Sequence, residues 1–200
     1  MIYLIPFILI SYLIGAIPFG YLLTKYFLNV NILEMGSGNI GSTNVKRVAG
    51  RKISIYSQLL DMAKGLIVVA IAMILQHYYP QLPSQEYLVY LVAIAVILGH
   101  NFSIFLKFKG GKGVNTTLGA SLLIALIPVL SAVIIYYIIK WMFKYVSMGS
   151  LAIAFVLPLG TFIQFGIGIT FYYFLICSTM IFLRHIPNIK RLLVGKELKS

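Results

Sequence analysis

The fold is decided by a stretch of 37 residues without a charged side chain, SMGSLAIAFVLPLGTFIQFGIGITFYYFLICSTMIFL at positions 147–183. One membrane-spanning helix needs about 20 apolar residues, so this stretch is long enough for two helices. We expect them to turn around Gly160 to Gly168. The whole chain agrees, because 60% of its 200 residues are hydrophobic and only 10% are charged, against about a quarter in soluble proteins. The sequence therefore predicts an all-α integral membrane protein with a single transmembrane domain, residues 1–200.

Basic residues separate the apolar runs. Of the 16 Lys and Arg residues, all except Lys64 lie in four clusters, at 25–52, 107–112, 140–144 and 184–199. Cytoplasmic loops of membrane proteins are enriched in Lys and Arg because that bias fixes orientation, so we place all four clusters on one face. Topology then explains most of the net charge of +12, and we expect no binding of nucleic acid.

The remaining apolar runs set the number of crossings. Three further spans are predicted at 2–24, 53–76 and 87–106. A single helix over the next apolar run, 114–139, would place Lys140 and Lys144 outside, so we expect two short helices that turn near Pro128. The polar segment 77–86 is expected to be an outer loop. The total is seven transmembrane helices, with the N-terminus outside and the C-terminus in the cytoplasm.

Two of the predicted spans contain residues that are unusual in membrane helices. Gly15 and Pro18 predict a kink in the first span. Asp61 and Lys64 lie three residues apart in the second span, so they share a helix face and can pair. Charges within a membrane face the bundle interior or a polar cavity and often mark a function. Whether this pair is structural or functional stays open.

The first inner loop contains the string GSGNIGSTN at positions 36–44, followed closely by Arg47. Its three glycines permit tight turns, and successive N–H groups in such turns form an anion-binding nest. Ser37, Thr43 and Asn44 add side-chain donors. The guanidinium of Arg47 is planar, permanently charged and suited to phosphate. The alternative, a flexible polar connector, does not explain so many donors beside a cation.

The second inner loop is KFKGGKG at positions 107–113. It again combines glycine with a cation at a predicted helix start, where the backbone dipoles favour anions. It is not a Walker A loop, because that pattern needs a glycine five residues before its Gly-Lys, and Leu106 occupies that position. The two loops together predict that the cytoplasmic face binds a small anion, and phosphate fits best.

Histidines near the cytoplasmic face are further candidates. His185 and Asn188 lie three residues apart beside Arg184 and could face the same site, although His185 could equally be structural. His100, near the end of the third span, is a weaker candidate that could simply form a hydrogen bond within the bundle.

Few carboxylates are available for acid–base or metal chemistry. The chain has four, Glu34, Asp61, Glu86 and Glu197. Dinuclear metal chemistry depends on several carboxylates, and no His-x4-Asp dyad is present, so we expect no metal and no cofactor. An enzyme built on these loops must stabilise phosphate charge with donors and cations.

These strings, taken in order, resemble the motifs of the bacterial PlsY family. The matching segments are 36–44, Gly99 to Phe102 with 108–113, Arg184 to Leu192, Asp61-x-x-Lys64-Gly65 and Tyr145 to Ser150. The likeness covers essentially the whole chain. Ser42, Ser103, Asn115 and Thr117 depart from the usual family pattern, but they leave every proposed anion ligand in place.

The resemblance implies an activity. Proteins of this family are seven-helix membrane acyltransferases with their active site on the cytoplasmic side. They transfer a fatty acyl group from acyl-phosphate to the 1-hydroxyl of sn-glycerol 3-phosphate, giving lysophosphatidic acid and phosphate, the first acylation step of phospholipid synthesis. Acyl-CoA and acyl carrier protein are not donors. The resemblance also implies a place in the bilayer of the bacterial cytoplasmic (inner) membrane and a functional link to the enzyme that makes acyl-phosphate.

The resemblance also assigns site residues. Residues 36–44 would cradle the phosphate of acyl-phosphate, with Ser37 at the reacting centre. Glycerol 3-phosphate would be held by Arg47, Lys112, Ser150, His185 and Asn188. The expected catalytic residues are Ser37, Arg47, Lys112, His185 and Asn188. The expected substrate-binding residues are Gly36, Gly38, Asn39, Gly41, Thr43, Asn44, Gly110, Gly111, Gly113 and Ser150. Attack would be direct, without an acyl-enzyme, and the phosphate of acyl-phosphate would accept the proton.

Two other functions fit parts of the pattern. A transporter for a phosphorylated solute would also use cationic, glycine-rich elements, but transporters usually bind near the midplane between repeats, and no convincing internal repeat is visible. A scaffold that binds anionic lipid headgroups would explain the charge but not the glycines and asparagines.

Overall fold

The computed structural model describes residues 4–79 and 85–199, and all of its regular elements in these residues are helical. The chain divides into two compact units, Met1–Leu123 and Ile124–Ser200, and each is described by itself. The predicted outer loop, 77–86, falls partly outside the described residues, because 80–84 are not among them.

The first unit contains five α-helices and two short 3₁₀ turns, Ile32–Glu34 and Ile104–Leu106, in its described residues. The helices are α1 (Leu4–Ala16), α2 (Phe19–Leu28), α3 (Ser42–Tyr78), α4 (Gln85–Asn101) and α5 (Val114–Ser121). The predicted kink in the first span is a break between α1 and α2, directly before and at Pro18. Proline has no N–H to continue the helical hydrogen-bond ladder, which explains the break.

Helix α3 begins well before the predicted span. Its first eight residues, 42–49, form a helix that the sequence placed in the inner loop, and Gly50 then interrupts the helical backbone with φ 81° and ψ 175°. Only glycine adopts such a conformation readily. Gly50 therefore separates a short helix, 42–49, from the long apolar helix that follows it.

Glycines allow the helices of the first unit to approach closely. A Cβ on Gly99 of α4 would overlap the backbone of α1 at Tyr12 and Ala16. A Cβ on Gly119 of α5 would overlap the backbone of α3 at Met62. Close approach through small residues is a common way for membrane helices to associate, and here it fixes α4 on α1 and α5 on α3.

The second unit contains three long helices, α6 (Leu126–Phe143), α7 (Val146–Phe165) and α8 (Ile169–Leu193). Lys144, in the left-handed conformation with φ 62°, ends α6. Gly166 to Gly168 separate α7 from α8, within the region where the sequence predicted the turn. Pro187 lies inside α8, so the Leu183 carbonyl loses its helical N–H partner next to His185 and Asn188.

Six helical segments in the described part of the chain are long and apolar enough to cross a membrane, at Leu4–Leu28, Ser42–Tyr78, Tyr87–Leu106, Leu126–Phe143, Val146–Phe165 and Ile169–Leu193. The first of them combines α1 and α2. Helix α5, with eight residues, is about 12 Å long and is not among them. A count of seven crossings, and their orientation, therefore remain predictions.

The predicted turn near Pro128 was misplaced. The chain leaves the helical conformation at 122–125, and Pro128 is the third residue of α6. Proline is tolerated in the first turn of a helix because the N–H groups there have no helical partner. Pro128 therefore marks a helix start rather than the turn itself.

Candidate functional site

The loop at 36–44 is organised by the side chain of Asn44. The Asn44 Oδ1 accepts a hydrogen bond from the Ser37 N–H at 2.9 Å. The Asn44 Nδ2 donates to the carbonyls of Met35 and Asn39, each at 2.9 Å. Asn44 is buried, so its amide shapes the loop from inside. Its predicted contact with substrate stays a prediction.

Glycine is required at the turns of this loop. Gly36 has φ 57° and Gly38 has φ 67°, and a Cβ on Gly36 would overlap the Asn44 Oδ1. The Asn39 Oδ1 accepts the Gly41 N–H at 2.9 Å, and helix α3 begins directly after Gly41 without a side-chain cap. Uncapped N–H groups at a helix start are suited to an anion.

The second loop, 107–113, returns to the end of α4 before α5 begins. The Gly111 N–H donates to the His100 carbonyl at 2.9 Å, and a Cβ on Gly111 would overlap the His100 ring. Gly113, with φ 80°, precedes α5, which also starts without a side-chain cap. Lys112 therefore lies at a second uncapped helix start, between two glycines whose lack of a side chain the packing requires.

The two loops are joined to each other. The Asn39 Nδ2 donates to the Gly110 carbonyl at 3.5 Å, and the Asn115 Nδ2 donates to the Ser42 Oγ at 3.2 Å. Asn115 and Ser42 are two of the positions at which the sequence departs from the family pattern, and here they pair. The structure thus brings both predicted anion loops of the first unit together.

The predicted pair of Asp61 and Lys64 is present and is part of a larger cluster. The Lys64 Nζ lies 2.8 Å from the Asp61 Oδ1 and donates to the Ile17 carbonyl at 3.0 Å. The His100 Nδ1 lies 3.3 Å from the same Asp61 oxygen and 3.0 Å from the Lys64 Nζ. All three side chains are at most 5% exposed. The His100 ring also packs against Gly111, so this cluster contacts the loop that contains Lys112.

In the second unit, the last turns of α8 carry the predicted site residues His185 and Asn188, which are buried. The His185 Nδ1 lies 2.8 Å from the Ile181 carbonyl. A carbonyl only accepts, so Nδ1 carries a proton and donates it to this hydrogen bond. Ser150 of α7 donates its hydroxyl to the Val146 carbonyl at 3.0 Å.

Glu197 is a residue that the sequence interpretation missed. Its Oε1 accepts from the Asn188 Nδ2 at 2.6 Å, and its Oε2 accepts from the Arg191 Nε at 2.7 Å. Burial alone would raise the pKa of the Glu197 carboxyl, but the hydrogen bonds from Asn188 and Arg191, with the charge of Arg191, hold that pKa below its usual value. The sequence signal available for Glu197 was Gly195, a glycine that follows the end of the last helix and stands two residues before the carboxylate.

The predicted site residues thus fall into two groups. The first unit holds Ser37, Arg47 and Lys112, with Gly36, Gly38, Asn39, Gly41, Thr43, Asn44, Gly110, Gly111 and Gly113. The second unit holds Ser150, His185 and Asn188. In the described residues, no group of three or more His, Cys, Asp or Glu side chains could hold a metal ion.

A model of the glycerol-3-phosphate acyltransferase family matches residues 5–195. The chain belongs to that family. It is 41% identical to the glycerol-3-phosphate acyltransferase of Clostridium acetobutylicum over 98% of this chain and 100% of that one. It is 40% identical to that of Syntrophotalea carbinolica over 95% of this chain and 94% of the other.

Solved structures of the glycerol-3-phosphate acyltransferase family share the fold. The crystal structure of PlsY, an integral membrane glycerol 3-phosphate acyltransferase, in its glycerol 3-phosphate form has a TM-score of 0.89 and 29% identity, over 99% of this chain and 96% of that one. Its lysophosphatidic acid form has a TM-score of 0.85 at 29% identity, over 98% and 95%. The resemblance that the motifs predicted is confirmed.

Proposed function

We propose that this protein transfers a fatty acyl group from acyl-phosphate to the 1-hydroxyl of sn-glycerol 3-phosphate, giving lysophosphatidic acid and phosphate. One observation carries the proposal. Two glycine-rich loops, joined by hydrogen bonds from Asn39 and Asn115, lead into uncapped helix starts with Arg47 and Lys112 close by in the chain. Membership of the glycerol-3-phosphate acyltransferase family supports the acceptor.

The chemistry would proceed by direct attack. The 1-hydroxyl oxygen of glycerol 3-phosphate would bond to the acyl carbon, and the bond from that carbon to the phosphate oxygen would break. The departing phosphate would take the hydroxyl proton, which suits a chain with four carboxylates. Residues 36–44 would cradle the phosphate of acyl-phosphate, with Ser37 at the reacting centre, where preformed donors stabilise the developing charge.

The acceptor would be held by side chains of complementary chemistry. Arg47 and Lys112 of the first unit supply positive charge for its phosphate. In the second unit, the Nδ1 of His185 donates to the Ile181 carbonyl, and the ring would contact the acceptor substrate. Ser150 and Asn188 would complete the contacts. No metal or cofactor is needed for these steps.

We place this activity at the cytoplasmic face of the bacterial inner membrane, within one acyltransferase domain of residues 1–200. The apolar helices support an integral membrane setting, and the basic loops support the orientation. The lipid bilayer and the enzyme that makes acyl-phosphate are the expected partners. The glycerol 3-phosphate and lysophosphatidic acid forms of the related PlsY structure support the acceptor and the product.

The decisive measurement is phosphate release by the purified, detergent-solubilised protein given palmitoyl-phosphate, with and without glycerol 3-phosphate. We expect release that depends on glycerol 3-phosphate, with lysophosphatidic acid formed in equal amount. Release without the acceptor, or with acyl-CoA as the only competent donor, would contradict the proposed reaction.

Variants of the two cations test the site. We expect Arg47→Ala and Lys112→Ala each to lower kcat/KM by roughly 10² to 10⁴, the range seen when a donor to a developing oxyanion is removed. The controls are Arg51→Ala and Lys109→Ala, which remove exposed cations from the same segments and should leave activity within about twofold of wild type. Full activity of both site variants would refute these residue assignments.

A further inference from the structure

The chain forms a tight turn at residues 103–108, between α4 and the glycines of the second loop. The Leu106 and Phe108 N–H groups both donate to the Ser103 carbonyl, at 3.1 Å and 2.8 Å. Lys107 and Phe108 adopt the left-handed conformation, with φ 52° and 63°. Because this conformation is unfavourable for a bulky side chain, the surrounding structure must hold the turn in place.

Two neighbouring parts of the first unit fix this turn. The Ser103 hydroxyl donates to the Ala16 carbonyl of α1 at 2.5 Å. The Tyr12 hydroxyl, also of α1, donates at 2.6 Å to the backbone carbonyl of the residue before the turn. Leu106 packs against a buried apolar cluster that includes Ile40 of the first loop. The turn is therefore a rigid part of the first unit, and its outer side chains cannot fold back to be covered.

The outer side chains of the 103–108 turn are apolar. Ile104, Phe105 and Phe108 are 49%, 58% and 60% exposed. A group of large exposed apolar side chains marks a surface that contacts a partner or a membrane. The candidate membrane span Tyr87–Leu106 ends within the turn, so these side chains stand where an apolar span meets a polar loop. Aromatic side chains are enriched at that level of a bilayer.

The charge of this segment fits a lipid surface. Lys107 is exposed and stands between Phe105 and Phe108 in the chain, and residues 87–125 contain no Asp or Glu. Basic residues at the membrane surface are attracted by anionic headgroups, and aromatic rings are stable at the boundary between headgroups and acyl chains. One partner, a bilayer with anionic phospholipid, thus accounts for both kinds of side chain.

We propose that the 103–108 turn inserts into the headgroup interface of a bilayer that contains anionic phospholipid. Phe105 and Phe108 are its apolar anchors, and Lys107 contacts the headgroup phosphate. Because the turn leads directly into the second loop, its insertion holds Lys112 at the depth of the headgroups. The proposal does not depend on the acyltransferase reaction, and its test requires no turnover.

Tryptophan fluorescence tests the depth of the turn. The chain has one tryptophan, Trp141, so a Trp141→Phe background allows an introduced tryptophan to report on its surroundings. Phe105→Trp and Phe108→Trp are reconstituted in liposomes with lipids brominated near the headgroup end or near the methyl end of the acyl chain. We expect bromine near the headgroup end to quench more strongly at both positions. Ile134→Trp, near the middle of α6 and similarly exposed at 59%, is the matched control and should show the reverse order.

Three results of this experiment would overturn the proposal. Stronger quenching from the methyl end would place the turn among the acyl chains. Quenching by aqueous iodide alone would place it in water. Protection from both brominated lipid and iodide would show that protein, such as a second copy of this chain, covers the turn.

The choice of lipid headgroup tests the role of Lys107. At position 108 we expect brominated phosphatidylglycerol to be preferred over brominated phosphatidylcholine by about fivefold, the effect of one lysine near an anionic surface. Lys107→Gln should remove this preference. Lys52→Gln, which replaces an exposed cation elsewhere in the first unit, should leave it unchanged. Equal quenching by the two lipids before substitution, or an undiminished preference in Lys107→Gln, would refute the contact with anionic headgroups.

Discussion

The buried cluster of Asp61, Lys64 and His100 connects charged residues of α3 to the loop that contains Lys112. Asp61 and Lys64 are each only 2% exposed, and within a membrane protein such charges need a partner. The Lys64 ammonium also donates a hydrogen bond to the Ile17 carbonyl at 3.0 Å. The pair is therefore structural, and His100, which contacts both of its members, also packs against Gly111 in the loop that carries Lys112. Whether the pair also has a direct function stays open.

Removing one charge of this pair should destabilise the protein. We expect Asp61→Asn to lower the free energy of unfolding by about 3 kcal/mol, because it leaves Lys64 buried without its counter-ion. The double variant Asp61→Leu/Lys64→Met should be more stable than Asp61→Asn. Apparent Tm in detergent measures both, with the exposed Lys52→Ala as control. Equal stability of Asp61→Asn and Lys52→Ala would contradict the role of the pair.

Glu197 should give the stability of the protein a pH dependence. Its folded pKa is lowered, so its ionised form stabilises the folded state above the unfolded pKa, about 4.3, and that contribution is lost as the pH falls through the folded pKa. The apparent Tm of wild type should exceed that of Glu197→Gln at pH 7, and the gap should close below about pH 4. A gap that widens on acidification would show the opposite shift.

At the scale of the elements, apolar length and proline were sufficient to predict most helices. The break at Pro18 and the turn at Gly166 to Gly168 follow from local sequence. Gly50 was not predicted to interrupt α3, because an isolated glycine in a polar stretch does not distinguish a bend from a loop. The turn before α6 was misplaced because proline both ends helices and starts them.

The same limit applies to the candidate site. Glycines, cations and motif order in the sequence predicted that both loops bind an anion, and this stays a prediction. The hydrogen bonds that join them, from Asn39 to Gly110 and from Asn115 to Ser42, connect residues more than seventy positions apart, and no local pattern encodes such pairs. Glu197 was missed for a related reason, since its contacts with Asn188 and Arg191 depend on the path of the chain after α8, where Gly195 adopts a left-handed conformation with φ 66°.

The packing of the second loop against α4 gives a prediction at this scale. Gly111→Ala should overlap the His100 ring, so we expect a loss of stability of about 1–3 kcal/mol and a fall in kcat/KM as Lys112 moves. Gly168→Ala is the matched control, because its φ is −166° and no atom lies within 4 Å of the added Cβ. Wild-type activity and Tm in Gly111→Ala would contradict the close packing.

At the scale of the whole molecule, the short helix α5 decides the topology. If α5 counts as a crossing, the chain crosses seven times and both Lys144 and Lys199 lie in the cytoplasm. If it does not, the six long helices place both residues outside. Eight residues are too few to span a bilayer alone, so the charge bias of the loops and the length of α5 favour different answers.

Cysteine labelling distinguishes these topologies. In a Cys177→Ser background, which removes the chain's one cysteine, we expect a membrane-impermeant maleimide to label Gln81→Cys in intact bacterial cells. It should label Lys144→Cys and Lys199→Cys only after the cells are made permeable. Labelling of both lysine positions in intact cells would establish six crossings and reject the predicted orientation of the C-terminus.

The hydrogen bonds inside and between the two glycine-rich loops have a consequence for binding thermodynamics. Fixing the backbone of one residue costs roughly 1–2 kcal/mol of conformational entropy, and glycine loses more freedom than any other residue. Because the Asn44 amide and the two inter-loop bonds hold these turns in place, most of that entropy is lost when the chain folds. A substrate that binds to these loops, as proposed, would meet a preorganised cradle, and the ordering of the loops would not reduce its affinity.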